Sequence, residues 1–353
     1  MVNFQRLTAR HPGPRRCRPA DSAGAGLRRA LSPGQARRRS EGARQGLGGA
    51  QVPIFRDYDQ AALDAQYNNR AAVPDAARYI ERWPAASAAA RARLGGRLDL
   101  AYGPHPRHRL DMFPAKAGGR APVLAFIHGG YWQSLDKSVF SFVAAPFVEA
   151  GVTVAMLGYP IAPEAGMDEI VASIRLALLW LGRHAGEHGG DPQRLHLSGH
   201  SAGGHLTAYM MAEDWPAEPG LPAPLLKGGL ALSGLYDLEP IRLSYLNKPL
   251  AMDAEVARRN SPVNRPGAPA RQPLILAVGG AETDEFRRQQ RDYAAQCRAA
   301  GWPVETIEVP GRNHFSVLES LADPDPQPAG APLPALSRAI LGQIFQETAK
   351  THR

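Results

Sequence analysis

The strongest constraint on the fold is a rhythm. Short apolar runs recur along the chain, and helical stretches separate most of them. The runs are RLDLAYG at 97–103, HRLDMFP at 108–114, PVLAFIHGG at 122–130 and VTVAMLGYP at 152–160, followed by RLHLSG at 194–199, GGLALSGLYD at 228–237, PLILAVGG at 273–280 and PVETIEVPG at 303–311. Those at 122–130 and 152–160 are apolar nearly throughout, as strands buried on both faces must be. Between the runs, Ile170, Ile174, Leu178 and Leu181 repeat at the spacing of one helix face. EFRRQQRDYAAQCRAAG reads as an amphipathic helix closed by Gly301, and Leu336, Ile340 and Ile344 mark a last helix. Strands alternating with helices predict an α/β architecture, a mainly parallel eight-stranded sheet with helices on both faces. Chemistry in such sheets gathers at the carboxyl ends of the strands.

Upstream of the sheet, residues 54–94 read as helical and polar, broken by Pro74 and Pro84. They are expected to form a cap-like segment beside the active site. Residues 54–347 are then one domain, preceded by a different kind of chain at 1–53. The first 50 residues hold eleven arginines, no lysine and only Asp21 and Glu41 as acids, so they carry +9 of the formal +8. The remainder is close to neutral. The basic balance therefore argues for no nucleic-acid partner of the body. This Arg/Gly/Pro-rich extension has no apolar period and is expected to be disordered and without a function of its own. It has no apolar h-region of a secretory signal, and no stretch of the chain is long enough in apolar residues to span a bilayer. Cys17 and Cys297 supply neither a disulfide framework nor metal spacing. A cytoplasmic protein with no metal and no cofactor is expected, its partner a small-molecule ester or amide. Oligomeric state is not legible.

One corner concentrates the chemistry. At the end of the run at 194–199, Gly199-His200-Ser201-Ala202-Gly203 precedes a helical pattern. A serine flanked by glycines at a strand-to-helix turn has its hydroxyl held clear of the sheet, because side chains at the flanking positions would collide with neighbouring backbone. The competing reading is a tight turn that needs only small residues. Ser201 is the candidate nucleophile. After the run at 122–127, His128-Gly129-Gly130 leaves backbone N–H groups uncovered. Those of Gly129 and Gly130, with that of Ala202, are candidates to hold an oxyanion. Tyr131 and Trp132 beside them are candidates for an aromatic pocket wall, with core packing the competing role for Trp132.

Eleven histidines compete for the role of base. His196 falls within a strand, His205 on the helix after the corner and His128 in the glycine loop. His105, His108, His184 and His188 precede the corner in what read as surface loops. His314, in the loop after the last strand, lies beyond the acid candidates, as the chain order serine, acid, histidine requires. For the acid three residues stand open: Asp237, Glu282 and Asp284, each following an apolar run.

HGGYWQ at 128–133, YPIAP at 159–163, GHSAGGHL at 199–206, SGLYDLEPI at 233–241, ARRNSP at 257–262, VGGAETDEF at 278–286 and NHF at 313–315 together resemble the α/β-hydrolase superfamily. The resemblance lies in the branch with an HGG loop that includes hormone-sensitive-lipase-type esterases and, within it, the kynurenine formamidases (arylformamidases). It implies a serine hydrolase working through an acyl-enzyme, with an arylformamide such as N-formylkynurenine as substrate. Set against the formamidase pattern, EF at 285–286 puts the acid at Glu282. A short-chain carboxylesterase and a non-catalytic ligand-binding protein on the same fold are the alternatives. QYNNR at 66–70 has no role in this resemblance.

Overall fold

The computed structural model describes residues 52–351 apart from 216, 266–270, 326 and 328–330, and no side chains beyond 346. The expectation of disorder at 1–53 thus falls, for residues 1–51, outside the described chain. Gln51–Arg353 forms one compact unit.

The eight expected strands are β1 (Arg97–Ala101), β2 (Arg109–Phe113), β3 (Ala121–Ile127), β4 (Thr153–Leu157), β5 (Gly190–His200), β6 (Leu226–Leu232), β7 (Leu274–Gly279) and β8 (Val304–Val309). They form one sheet in the order β1-β2-β4-β3-β5-β6-β7-β8. β2 is antiparallel to both its neighbours, and every pairing from β4 to β8 is parallel. Burial follows position in the sheet. β3, β4 and β7 are buried at every residue, whereas edge strand β8 exposes Glu305, Thr306 and Glu308. Charged side chains on an open edge discourage pairing with another chain.

Eleven helices occur among the described residues: α1 (Gln60–Tyr67), α2 (Asn69–Ala72), α3 (Ala76–Leu94), α4 (Ala144–Glu149), α5 (Met167–His184), α6 (Ala202–Met211), α7 (Glu239–Leu243), α8 (Asn247–Leu250), α9 (Ala254–Arg259), α10 (Asp284–Ala299) and α11 (Ala335–Thr351). They cover both faces, and β3 shows how a single strand serves both. Val123, Ala125 and Ile127 join a cluster with Ile174 of α5 and Leu206 of α6. Leu124 and Phe126 point the other way, to Phe147 of α4 and Ile340 of α11. Each face is an apolar layer of the kind that supplies most of the driving force for folding. None of the described helices is long and apolar enough to cross a membrane.

The segment before the sheet corrects one expectation. Pro74 does separate α2 from α3, but Pro84 lies inside α3, which runs on to Leu94. A proline removes one intrahelical hydrogen bond and strains one turn, and here tertiary contacts outweigh that loss. Trp83, buried next to it, packs on Phe140 and Phe315 with ring centroids 5.4 and 6.2 Å away. One turn on, Ser87 Oγ donates to Val139 O at 2.6 Å. A second correction concerns His108. It is buried, not in a surface loop, and its Nε2 lies 2.9 Å from Ser173 Oγ.

Candidate active site

β5 ends at His200 and α6 begins at Ala202, leaving Ser201 alone at the turn with φ +60° and ψ −118°. A non-glycine residue in that region costs on the order of 1–3 kcal/mol and persists only where surroundings enforce it. The enforcement is visible. Ser201 N–H donates to Leu232 O at 2.9 Å, and Ser201 O accepts from His205 N–H at 3.0 Å. Gly203 sits so close to β3 that a Cβ on it would lie 2.0 Å from Ile127 O. Since that contact is with backbone of a central strand, Gly203→Ala is expected to cost about 3 kcal/mol or more, the upper range for overpacking. A lowered urea midpoint at unchanged slope is the readout, and an unchanged midpoint would show that the corner yields.

Three of the predicted side chains meet here. His314 Nε2 lies 3.0 Å from Ser201 Oγ, and His314 Nδ1 lies 2.6 Å from Glu282 Oε2. A carboxylate can only accept, so Nδ1 carries the proton and Nε2 is left to accept from the serine hydroxyl. The other carboxylate oxygen of Glu282 accepts from Gly279 N–H at 2.7 Å and from Ser233 Oγ at 2.5 Å. Ser201, Glu282 and His314 are all more than nine-tenths buried. Bonds among groups so shielded from water are stronger than their exposed counterparts.

The other acid candidates stand elsewhere. Asp284 is the first residue of α10, largely exposed, and pairs with Arg287, a favourable place for a negative charge at a helix N-terminus. Asp237 accepts from Glu239 N–H at 3.0 Å, while its own N–H donates to Gln289 Oε1. Burial raises the Asp237 carboxyl above its ordinary value. Of the three, Glu282 is the one hydrogen-bonded to His314.

The glycine loop after β3 flanks the same corner. A Cβ on Gly129 would lie 3.0 Å from Ser201 Cβ, and one on Gly130 would strike Ser134 O at 2.2 Å. Gly130 has φ +117°, and Tyr131 and Trp132 follow with φ +50° and +59°. Ala202 opens α6, so its N–H is among the first-turn donors that no intrahelical carbonyl can satisfy. Trp132 does not line a pocket. It is fully buried, its ring edge-on to His205 at 5.0 Å, and its carbonyl accepts from Ala162 N–H. A strand-following loop needs an anchor in the core, and Trp132 supplies the apolar bulk. Tyr131 is partly exposed and its hydroxyl is taken up by Tyr67 O and Asn69 Nδ2.

Some contributors were not identified from sequence. His200, an unassigned position of the GHSAG corner, donates from Nε2 to the backbone O of His314 at 2.9 Å. Burial pushes the His200 imidazole well below its ordinary value, and the nearby His314 pushes in the same direction, so His200 stays neutral while it fixes the main chain beside the imidazole. Ser233, at φ +50°, is a second side-chain donor to Glu282, beside His314. Its position after an apolar run and before Gly234 was the available signal. The N-terminal segment also reaches residues that flank the site. Asn69 touches Tyr131, Thr283 Oγ1 donates to Gln66 O, and Tyr79 stacks on Phe315 beside His314.

The fold has counterparts among known proteins. A family model described as alpha/beta hydrolase fold matches residues 124–318, more than half of the chain. The kynurenine formamidase of Danio rerio is 36% identical over 231 residues, which are 64% of this chain and 77% of that protein. An isoprenylcysteine alpha-carbonyl methylesterase of Arabidopsis thaliana is 26% identical, over 65% of this chain and 58% of its own length. Among solved structures, a candidate thioesterase from Silicibacter sp. TM1040 superposes with a TM-score of 0.63 at 34% identity. That match covers 75% of this chain and 96% of the other.

Proposed function

The chain belongs to the alpha/beta hydrolase fold family, in the branch it shares with kynurenine formamidases, and is a hydrolase; from that premise we propose that it is a serine hydrolase acting on arylformamides of the N-formylkynurenine type. The observation that carries the proposal is the continuous relay from Ser201 Oγ through the His314 imidazole to Glu282. In this reading Ser201 Oγ attacks the formyl carbon and His314 Nε2 takes its proton, Glu282 holding the imidazole in the accepting tautomer and stabilising the cation that forms. The N–H groups of Gly129, Gly130 and Ala202 hold the oxygen that becomes negative. The C–N bond then breaks, and His314 returns the proton to the leaving arylamine. Water, deprotonated by His314, attacks the formyl-serine ester, releasing formate and restoring Ser201.

A formyl group suits the setting. Its carbonyl carries only a hydrogen, and Ser201 is 3% exposed beneath neighbouring loops, so a small acyl group meets the least obstruction. The reading puts the reaction in the cytoplasm, where the chain's two cysteines stay reduced. A second reading, a short-chain carboxylesterase, is favoured by the likeness to the plant methylesterase. The two separate in one experiment. With N-formylkynurenine and p-nitrophenyl acetate side by side, kcat/KM is expected to favour the formamide by at least about tenfold, a transition-state difference of ~1.4 kcal/mol. The opposite ranking by that margin would assign the esterase.

A further inference from the structure

We propose that Gln66–Asn69 is a strut that fixes the glycine loop and the Glu282 loop relative to one another, with Asn69 and Tyr131 as positioning residues that act through the Tyr131 phenol. The inference rests on the reading of Gly129 and Gly130 as oxyanion donors. It assigns a role to the QYNNR stretch.

The two loops follow β3 and β7, which are not neighbours, since β5 and β6 lie between them. The stretch at 66–69 reaches both. Toward the acid, Thr283 Oγ1 donates to Gln66 O at 2.7 Å and Glu285 N–H donates to Gln66 Oε1 at 3.1 Å. Tyr67 Oη donates to Glu285 Oε2 at 2.8 Å. Toward the glycine loop, Tyr131 Oη donates to Tyr67 O at 2.7 Å and accepts from Asn69 Nδ2 at 2.9 Å. Tyr67 is therefore the joint, its hydroxyl given to the first turn of α10, just after the Glu282 loop, and its carbonyl to the glycine loop. It is fully buried, and Asn69 is 5% exposed.

Such a brace has something to hold. Gly130, Tyr131 and Trp132 all have positive φ, and backbone of this kind persists only where its surroundings over-determine it. Trp132 is pinned in the core, and Tyr131 is pinned by its phenol. Release of the phenol removes one of the holds on this loop, and Gly130, the most permissive residue of the three, can then turn its N–H away although its carbonyl still accepts from Gln133 and Ser134. Donors that act on an oxygen only once it is negative stabilise the transition state and not the bound substrate. Their displacement lowers kcat and leaves KM in place.

Tyr131→Phe, Asn69→Ala and the double variant test this with p-nitrophenyl acetate. Each single change is expected to lower kcat about ten- to hundredfold, a little less than outright loss of an oxyanion donor, with KM within about twofold. Because both act through one hydroxyl, the double variant should be no slower than Tyr131→Phe. Additive losses, or a loss confined to KM, overturn the strut, the latter by making these residues substrate contacts. Asn69→Asp, of the same shape but unable to donate, replaces Asn69→Ala should that variant not fold. A second measurement needs no substrate. Hydrogen exchange across 128–134 should speed up in both single variants while α6 keeps its protection. Unchanged exchange there overturns the strut whatever the enzyme does. Failure of the serine-nucleophile reading would show separately, as activity retained by Ser201→Ala.

Discussion

Ser201→Ala is expected to fold like the wild type and to lose on the order of 10⁶ in kcat, the scale seen when a hydrolase of this mechanism loses its nucleophile. The fold should survive because the serine side chain contributes little to holding the corner. Its Oγ is hydrogen-bonded to His314 Nε2, while the turn itself is held by Ser201 N–H on Leu232 O and by the close approach of Gly203 to β3. Alanine tolerates φ +60° no better than serine does, so that strain is common to both chains. Removing a single hydroxyl from a buried pair leaves His314 Nε2 without its partner, worth about 1–3 kcal/mol at most. Circular dichroism should therefore be unchanged, and the urea midpoint should fall by no more than that cost allows, while turnover disappears. A fluorophosphonate should label the wild type and leave the variant untouched. Activity within tenfold of wild type, or labelling of the variant, would move the nucleophile to another residue.

The sheet was legible because its central strands leave little choice. A seven-residue apolar run such as β3, with one face to α5 and α6 and the other to α4 and α11, fits a strand buried on both sides. Helix α5 was legible for the corresponding reason, a one-sided apolar stripe of Ile170, Ile174, Leu178 and Leu181, all of them buried. What escaped the sequence was decided by distant contacts. β5 begins at Gly190, four residues before its apolar run, because Gly190 and Asp191 pair with Ala121 and Pro122 of β3. No local pattern in Gly-Asp-Pro-Gln announces that. Pro84 stays helical because Trp83 and Ser87 hold α3 on the 137–143 turn and on Phe315, contacts made across dozens of residues.

The site divides along the same line. Ser201 and the glycine loop were readable from spacing, since a strained corner and an uncovered backbone each demand glycine at set positions. His314 followed from chain order together with its place just after the last apolar run. The residues that support them were not readable. Tyr67 meets Glu285 across 218 positions and Ser233 meets Glu282 across 49, and each is an ordinary residue until the fold brings it to its partner. Positions that carry strain or leave backbone groups uncovered write themselves into sequence, and partners that only supply a hydrogen bond do not.

Glu282→Gln is expected to lower kcat by roughly 10⁴, the loss that follows when a triad acid becomes an amide, whereas Asp284→Asn should leave kcat close to wild type. The bonding around Glu282 explains why exchanging one carboxylate oxygen for NH₂ has so large an effect. Gly279 N–H and Ser233 Oγ both donate to Oε1, so a glutamine there must turn its carbonyl oxygen toward them. Its NH₂ then faces His314 Nδ1, which lies 2.6 Å from the present carboxylate oxygen. Two donors cannot share that contact, and the imidazole escapes by moving its proton to Nε2. An Nε2 that already carries a proton cannot accept the one on Ser201. The variant should keep its fold and its KM, since neither depends on the tautomer. Asp284 offers the contrast: its carboxylate is exposed and paired with Arg287, and loss of an exposed pair of this kind costs under about 1 kcal/mol of stability. Asp237→Asn, which alters the acceptor for Glu239 N–H and nothing near the imidazole, should likewise leave turnover intact. Steady-state kinetics on the three variants decides the matter. A large loss in Asp284→Asn or Asp237→Asn with Glu282→Gln unaffected would transfer the acid role and leave Ser201 and His314 in theirs.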